Sequence, residues 1–211
     1  MKRLLLTAAI IIAAAFTVNA QSIPEICARM TEELSKGETM GQAFDMIMKL
    51  PIIGKVGGRT WINGDNFRME MIDKEDAGIT WRTPDTEWNY DPKTNTVTIK
   101  KVEKKSESES NNDDGQTKNF EGVDKDYDLK IVKEDDKAWY MTGKKSKTNT
   151  NKDDPKKIKM AVSKQTYLPL YYTAKQKGIT ISMENFQVGV TPEEVTFDPA
   201  KYPGVKIIDE R

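Results

Sequence analysis

The chain of 211 residues contains no histidine. That absence removes the commonest general base and the commonest transition-metal ligand together. Cysteine is represented by Cys27 alone, so no disulfide can form within the chain. The fold must therefore hold itself together by burying apolar surface, as a domain of about 190 residues can. Neither charge predominates, with 33 basic against 33 acidic residues, and nothing in the bulk electrostatics attracts nucleic acid. Beyond residue 16 no apolar run approaches the ~20 residues needed to span a bilayer.

What is present begins with an export signal. Lys2 and Arg3 precede the thirteen-residue apolar run 4–16, and Val18 and Ala20 supply small residues at the −3 and −1 positions of a cleavage site. Cleavage after Ala20 is expected, leaving 21–211 as one domain with a net charge of −2 once Lys2 and Arg3 are gone. Cys27 follows Pro24-Glu25-Ile26, which lacks the small residue that an acylated cysteine requires in front of it, and reads as a small buried hydrophobe.

After the signal the spacing Ile23, Ile26, Cys27, Met30, Leu34 predicts one helix face, with Ser22 as N-cap, Pro24 in the first turn and Gly37 at its end. The period then switches to two. Met40, Gln42, Phe44, Met46, Met48 and Leu50 share one parity and predict a long half-buried strand. Strands follow at 58–62 and 66–72 around the Asn63-Gly64-Asp65 turn, a strong hairpin signal, and then at 79–83, 87–90 and 96–101. Further half-buried strands are marked by Tyr127, Leu129 and Ile131, by Trp139 and Met141, and by Ile158, Met160 and Val162. Segments 167–174 and 179–190 flank a turn at 175–178, and a parity shift between Met183 and Phe186 predicts a β-bulge near Glu184-Asn185. The polar runs 104–119 and 144–157 read as solvated, mobile loops. The expected fold class is mainly β: a large curved antiparallel sheet with a meander topology, an N-terminal helix and short helices.

Residues suited to catalysis are poorly placed. Cys27 has no imidazole partner and lies on the apolar helix face. The pairs Asp73 with Glu75 and Glu193 with Glu194 arise by chance among 33 acids. Asp113-Asp114 and Asp153-Asp154 lack the spaced oxygen ligands of a calcium loop, and Gly54, Gly57 and Gly58 precede a strand where a phosphate cradle needs a helix. No enzyme activity, catalytic residue, metal or cofactor is expected.

The unusual feature is the apolar face itself, which relies on methionine and aromatics where a tight β core favours valine, isoleucine and leucine. Nine of the ten methionines lie beyond residue 20. A flexible, polarizable side chain suits a surface that repacks around irregular ligands, although the same residues can simply fill a core.

The run Gly58-Arg59-Thr60-Trp61-Ile62-Asn63-Gly64-Asp65-Asn66-Phe67-Arg68-Met69-Glu70, with Glu87-Trp88-Asn89-Tyr90-Asp91-Pro92 and Val97-Thr98-Ile99, is similar to the LolA-like periplasmic carriers of outer-membrane lipoproteins. Tyr167-Leu168-Pro169, Gly178, Val195-Thr196-Phe197-Asp198 and Tyr202-Pro203-Gly204-Val205-Lys206-Ile207-Ile208-Asp209 continue the likeness in order. The resemblance implies an unclosed barrel of about eleven strands under short lid helices, in a monomeric periplasmic chaperone. Acyl chains of lipoproteins would pass to it from an inner-membrane release complex, and from it to an outer-membrane acceptor. Phe44, Met46, Met48, Phe67, Met69, Met71, Trp88, Tyr90, Met160 and Met183 are the expected lipid-binding cavity. Carriers of the family have an Arg-Pro pair, whose arginine bonds the lid, where this chain reads Asn63-Gly64; Arg59 and Arg68 lie nearby but do not match the position. A second reading belongs to another class: a non-catalytic regulatory or scaffold protein of the envelope that binds a protein or lipid partner through the polar loops.

Overall fold

The computed structural model describes residues 21–71, 77–102 and 120–211. The expected export segment, the polar run 104–119, Ile72 and the carboxylates Asp73, Glu75, Asp113 and Asp114 lie outside the described residues.

Helix α1 (Ile23–Ser35) starts where the sequence predicts, with Pro24 in its first turn and the Ser22 backbone N–H donating to the Glu25 carboxylate at 2.9 Å. Its apolar stripe, Ile26, Cys27, Met30 and Leu34, is fully buried. Gly37 opens a single extra turn, α2 (Gly37–Met40), where the sequence pattern places the helix end. Strand β1 (Gln42–Leu50) therefore begins two residues later than expected, and Met40 is left exposed. The cause is Gly41, at φ 75°, whose Cβ, had it one, would fall 2.4 Å from the Val190 carbonyl.

Eleven further strands follow: β2 (Gly54–Asn63), β3 (Asn66–Met71), β4 (Ile79–Arg82), β5 (Thr86–Asp91), β6 (Thr96–Lys101), β7 (Tyr127–Glu134), β8 (Ala138–Lys145), β9 (Lys157–Ser163), β10 (Pro169–Gln176), β11 (Ile179–Val188) and β12 (Lys206–Asp209). They form one sheet in the order β12-β6-β5-β4-β3-β2-β1-β11-β10-β9-β8-β7, which does not close. Two antiparallel meanders, β1 to β6 and β7 to β11, meet along the β1–β11 ladder. The predicted bulge is there, where Ala43 opposes Gln187 but Asp45 opposes Glu184, and Asn185 takes φ 54°. Two features differ from the sequence pattern. β2 starts at Gly54 because Gly57 and Gly58 pair with β1 in spite of their weak strand propensity, and β12 adds a parallel partner to β6. The tract expected as a loop over 144–157 is shorter, since Lys144 near the end of β8 and Lys157 at the start of β9 form the terminal pair of their ladder. A short helix, α3 (Val123–Asp126), leads into β7.

Direct cross-strand pairing sorts the side chains onto two faces. On one, α1 packs with Phe120 and Val123 over Tyr127, Trp139, Met141, Ile158, Met160, Val162 and Ala174. The helix is pinned at its edge by Arg29, which donates to the Tyr167 hydroxyl at 3.0 Å, and that hydroxyl donates to Gln21 at 3.1 Å. On the other, the C-terminal segment lays Val190 and Val195 against Ala43 and Trp61. It then sets Phe197 and Tyr202 against Trp81, with ring centroids 5.2 and 5.5 Å away.

Met30 is wholly buried at the centre of the α1 interface, so Met30→Ala is expected to lower the unfolding free energy by about 2–5 kcal/mol, measured by denaturant titration. Burial pushes the Cys27 thiol up to about 12, with the charge of Asp124 adding to the shift. The native protein should resist thiol reagents at mildly alkaline pH and react on unfolding. Because the folded state keeps a proton that the unfolded chain releases above its ordinary 9.0, this group's contribution to stability is intact below that pH and declines as pH rises towards 12.

Candidate functional site

The face beneath α1 carries a single cross-strand row that crosses eight strands. Met71 of β3 faces Gly58 of β2, which faces Met46 of β1; Met46 faces Met183 of β11, and Met183 faces Tyr172 of β10. Tyr172 faces Met160 of β9, Met160 faces Met141 of β8, and Met141 faces Ile131 of β7. Five of eight positions are methionine. On the side of this row away from the β1–β2 turn Met69 faces Thr60, which faces Phe44, and on the side towards that turn Val56 faces Met48, which faces Ile181.

Cover over this face is uneven. From β11 to β8 the row is sealed but for the half-buried Tyr172: Met183, Met160 and Met141 are at most 4% exposed, and Met160 and Met141 pack in one cluster with α1, Phe120 and Phe186. Phe186 bridges the two sectors, its ring 5.8 Å from that of Phe44 and 5.6 Å from that of Phe120. Across β1, β2 and β3, by contrast, Met46, Met48, Val56, Ile62, Phe67, Met69 and Met71 are only half-buried. Gly58 deepens the trough there, with no side chain between Met46 and Met71 and no room for one, since a Cβ would lie 2.6 Å from the Glu70 carbonyl. Within β1, β2 and β3 this face carries no ionisable side chain, and the first charge it meets is Arg82 of β4, which faces Phe67 at its edge. Such a surface can take an apolar chain by repacking its methionines, and it offers no nucleophile or base.

Eight of the ten residues expected to line the cavity lie on this face: Phe44, Met46, Met48, Phe67, Met69, Met71, Met160 and Met183. Trp88 and Tyr90 do not. Trp88 faces Trp81 and Tyr90 faces Ile79, on the opposite side of the sheet, where Tyr202 lies 4.8 Å from Tyr90 and Phe197 lies 6.4 Å from Trp88. A parity count within each strand cannot relate one strand's face to another's, which requires the register. Sequence reasoning also missed Val56, Ile62, Ile181, Tyr172 and Phe186, because glycines interrupt the alternation of β2 and the bulge resets that of β11.

Both arginines near the Asn63-Gly64 turn also sit on the opposite face. Arg59 donates to Asp45 at 2.9 Å and to Gln187 at 3.1 Å, while Arg68 pairs with Glu70 and lies over Trp61 and Trp81, 4.7 and 5.9 Å from their centroids. Burial lowers the Arg68 pKa, against the raising effect of Tyr202 and Glu194. Neither touches α1. Asn63 instead donates to the Val190 carbonyl at 2.7 Å, tying the hairpin to the C-terminal segment.

No family profile and no curated protein sequence matches this chain. Solved structures with a similar arrangement exist at low sequence identity. An uncharacterized conserved protein from Thermus thermophilus is 16% identical, with 90% of this chain and 100% of that chain covered, at a TM-score of 0.43. LprF from Mycobacterium bovis is 10% identical over 82% of this chain and 98% of that one, at 0.45. A LolA superfamily protein from Nitrosomonas europaea is 10% identical over 86% and 100%, at 0.35.

Proposed function

We propose that this protein is an exported carrier that shelters the acyl chains of lipoproteins against the half-covered methionine sector of β1, β2 and β3 and conveys them through the periplasm. The observation that carries the reading is the continuity of the row. The same line of side chains that forms a sealed core from β11 to β8 runs on, without a change of chemistry, into a trough that α1 does not reach. A chain of about a dozen methylenes left in water costs roughly 10 kcal/mol, so cargo of this kind needs shelter. Release in turn requires adaptable, unspecific packing, which methionine provides and a jigsaw of branched side chains does not.

The export signal over residues 1–20, with cleavage after Ala20, supports a periplasmic site of action. The likeness of the sequence to lipoprotein carriers supports acylated lipoproteins as cargo, an inner-membrane release complex as donor and an outer-membrane protein as acceptor. On this reading Phe44, Met46, Met48, Phe67, Met69 and Met71 contact cargo directly. Met160 and Met183 form the closed end of the same surface. The activity is binding and transfer, with no chemical step.

The exported protein should take up a fluorescent apolar probe and yield acylated peptides when purified from its host. Replacing Met46, Met48, Met69 and Met71 with serine together should weaken probe binding by about tenfold or more, a loss of roughly 1.4 kcal/mol or greater. The melting temperature should shift far less than for Met30→Ala, because these side chains are already partly hydrated. Trp88→Leu should leave probe affinity unchanged, and wild-type protein that takes up neither probe nor acylated peptide would remove the proposal.

A second reading, partner binding by an envelope regulator, is favoured by one observation: the polar excursion over 146–156 is ordered. Asn149 and Asn151 donate to Asp154 at 2.6 and 2.7 Å, and Lys177 of the β10–β11 hairpin pairs with Asp153 at 3.2 Å. Shortening this excursion to a glycine-rich turn should leave probe binding intact in a carrier. Loss of a stably co-purifying protein in that variant would favour the regulator instead.

A further inference from the structure

The most exposed large apolar residues of the described chain sit together at the tip of the β1–β2 hairpin, where Ile52 is 97% exposed and Ile53 73% exposed. Pro51 precedes them and Gly54, at φ 88°, closes the turn. The β10–β11 hairpin lies alongside, for a Cβ on Gly178 would be 3.7 Å from the Pro51 ring. An apolar tip of this kind gains nothing for the folded chain in water.

Behind the tip runs a row of lysines on the face opposite the methionines. Lys55 of β2 faces Lys49 of β1, and Lys49 faces Thr180 of β11. Thr180 faces Lys175 of β10, which faces Lys157 of β9, which faces Lys144 of β8. All five lysines are exposed, and among the described residues none of the five makes an ion pair. Like charges placed directly opposite on neighbouring strands destabilise a sheet, and here three such pairs occur in one row. Lys130 and Lys159 widen the row, and with Lys144, Lys157 and Lys175 they line a hollow of about 630 Å³ in which Asp128 is the one acidic group among the described residues.

We infer that this end of the sheet docks on an anionic lipid bilayer, with Ile52 and Ile53 entering the headgroup boundary and the lysine row meeting lipid phosphates. The spacing fits that occupant. At about 3.3 Å per residue, Lys49 and Lys55 stand within roughly 10 Å of the apex. Interfacial segments bury their apolar side to about 5–10 Å, and lysine stems reach outward along the apolar surface to the phosphate level. A soluble polyanion would use the lysines but leave the isoleucines in water. A neutral membrane would use the isoleucines and leave the lysine row unanswered. Of the three, only the anionic bilayer uses both.

The test is flotation of the exported full-chain product with vesicles of phosphatidylcholine, with and without phosphatidylglycerol, at low and high salt. Every variant keeps the wild-type N-terminus, so differences report on the sheet end. Wild type should float with anionic vesicles, release at high salt and bind neutral vesicles about tenfold more weakly or worse. I52S/I53S and K49Q/K55Q/K175Q should each lose anionic binding by about tenfold or more, while K49R/K55R/K175R restores it and shows that folding is intact. Both losing variants should keep uptake of the fluorescent apolar probe, and the methionine-to-serine variant should keep flotation, so docking and carriage fail separately. Equal binding to neutral and anionic vesicles would overturn the inference. So would flotation that survives loss of the isoleucines, or retention on a heparin column that needs the lysines but not the isoleucines in a protein that does not float.

Discussion

The pairing of β1 with β11 is the constraint on which the rest of the molecule depends. Each meander can form from neighbours in sequence, but β1 and β11 are separated by more than a hundred residues and alone join the two. Because side chains alternate, a slip of one residue along this ladder would turn the apolar face of one half against the polar face of the other. The bulge at Asn185 fixes the register. Asn185 donates to Asp45 at 2.6 Å and Arg59 grips the same carboxylate from β2, so three central strands are locked at the point where the alternation is reset. Met183 and Phe186 thereby reach the same face as Phe44 and Met46.

Once the two halves share a face, their covers can be unequal. α1 and the segment through Phe120 seal β7 to β11, and the C-terminal residues seal the outer side of β2 to β6 through Phe197 and Tyr202. The inner side of β1 to β3 receives neither. It is held rigid from behind by the Arg59, Trp61 and Arg68 layer while its own methionines remain half-covered. A rigid backbone carrying pliable side chains reconciles shape retention with adaptable packing, and it places that adaptability in one sector and not throughout the core.

Much of this was legible in the sequence, for identifiable reasons. Long alternating segments such as Phe67, Met69 and Met71 declare their own faces, the Ser22 cap and the Ile26, Met30, Leu34 stripe declare α1, and the reset between Met183 and Phe186 declares the bulge. What stayed hidden depends on register, a property of pairs of strands and not of either one. Trp88 and Tyr90 alternate as Met46 and Met48 do, yet the β3–β4–β5 ladders send them to the other side. The lysine row was hidden for the same reason, since Lys49, Lys55, Lys144, Lys157 and Lys175 are scattered polar residues until cross-strand pairing aligns them. β12 was illegible because a four-residue parallel strand leaves no periodic signature.

The two faces converge at one end of the sheet. The row Val56, Met48, Ile181 on the inner face lies one residue from the row Lys55, Lys49, Thr180 on the outer face, and both lead into the hairpin that carries Ile52 and Ile53. An acyl chain leaving a bilayer at that tip would pass from lipid to Met48 and Val56 along a continuous apolar strand surface, while the lysines hold the opposite face at the phosphate plane. In this arrangement the distance a chain travels through water falls to the width of the turn. The strand alternation that separates grease from charge by a single residue thus also aligns the proposed sites of docking and of shelter, and no moving part is needed to connect them.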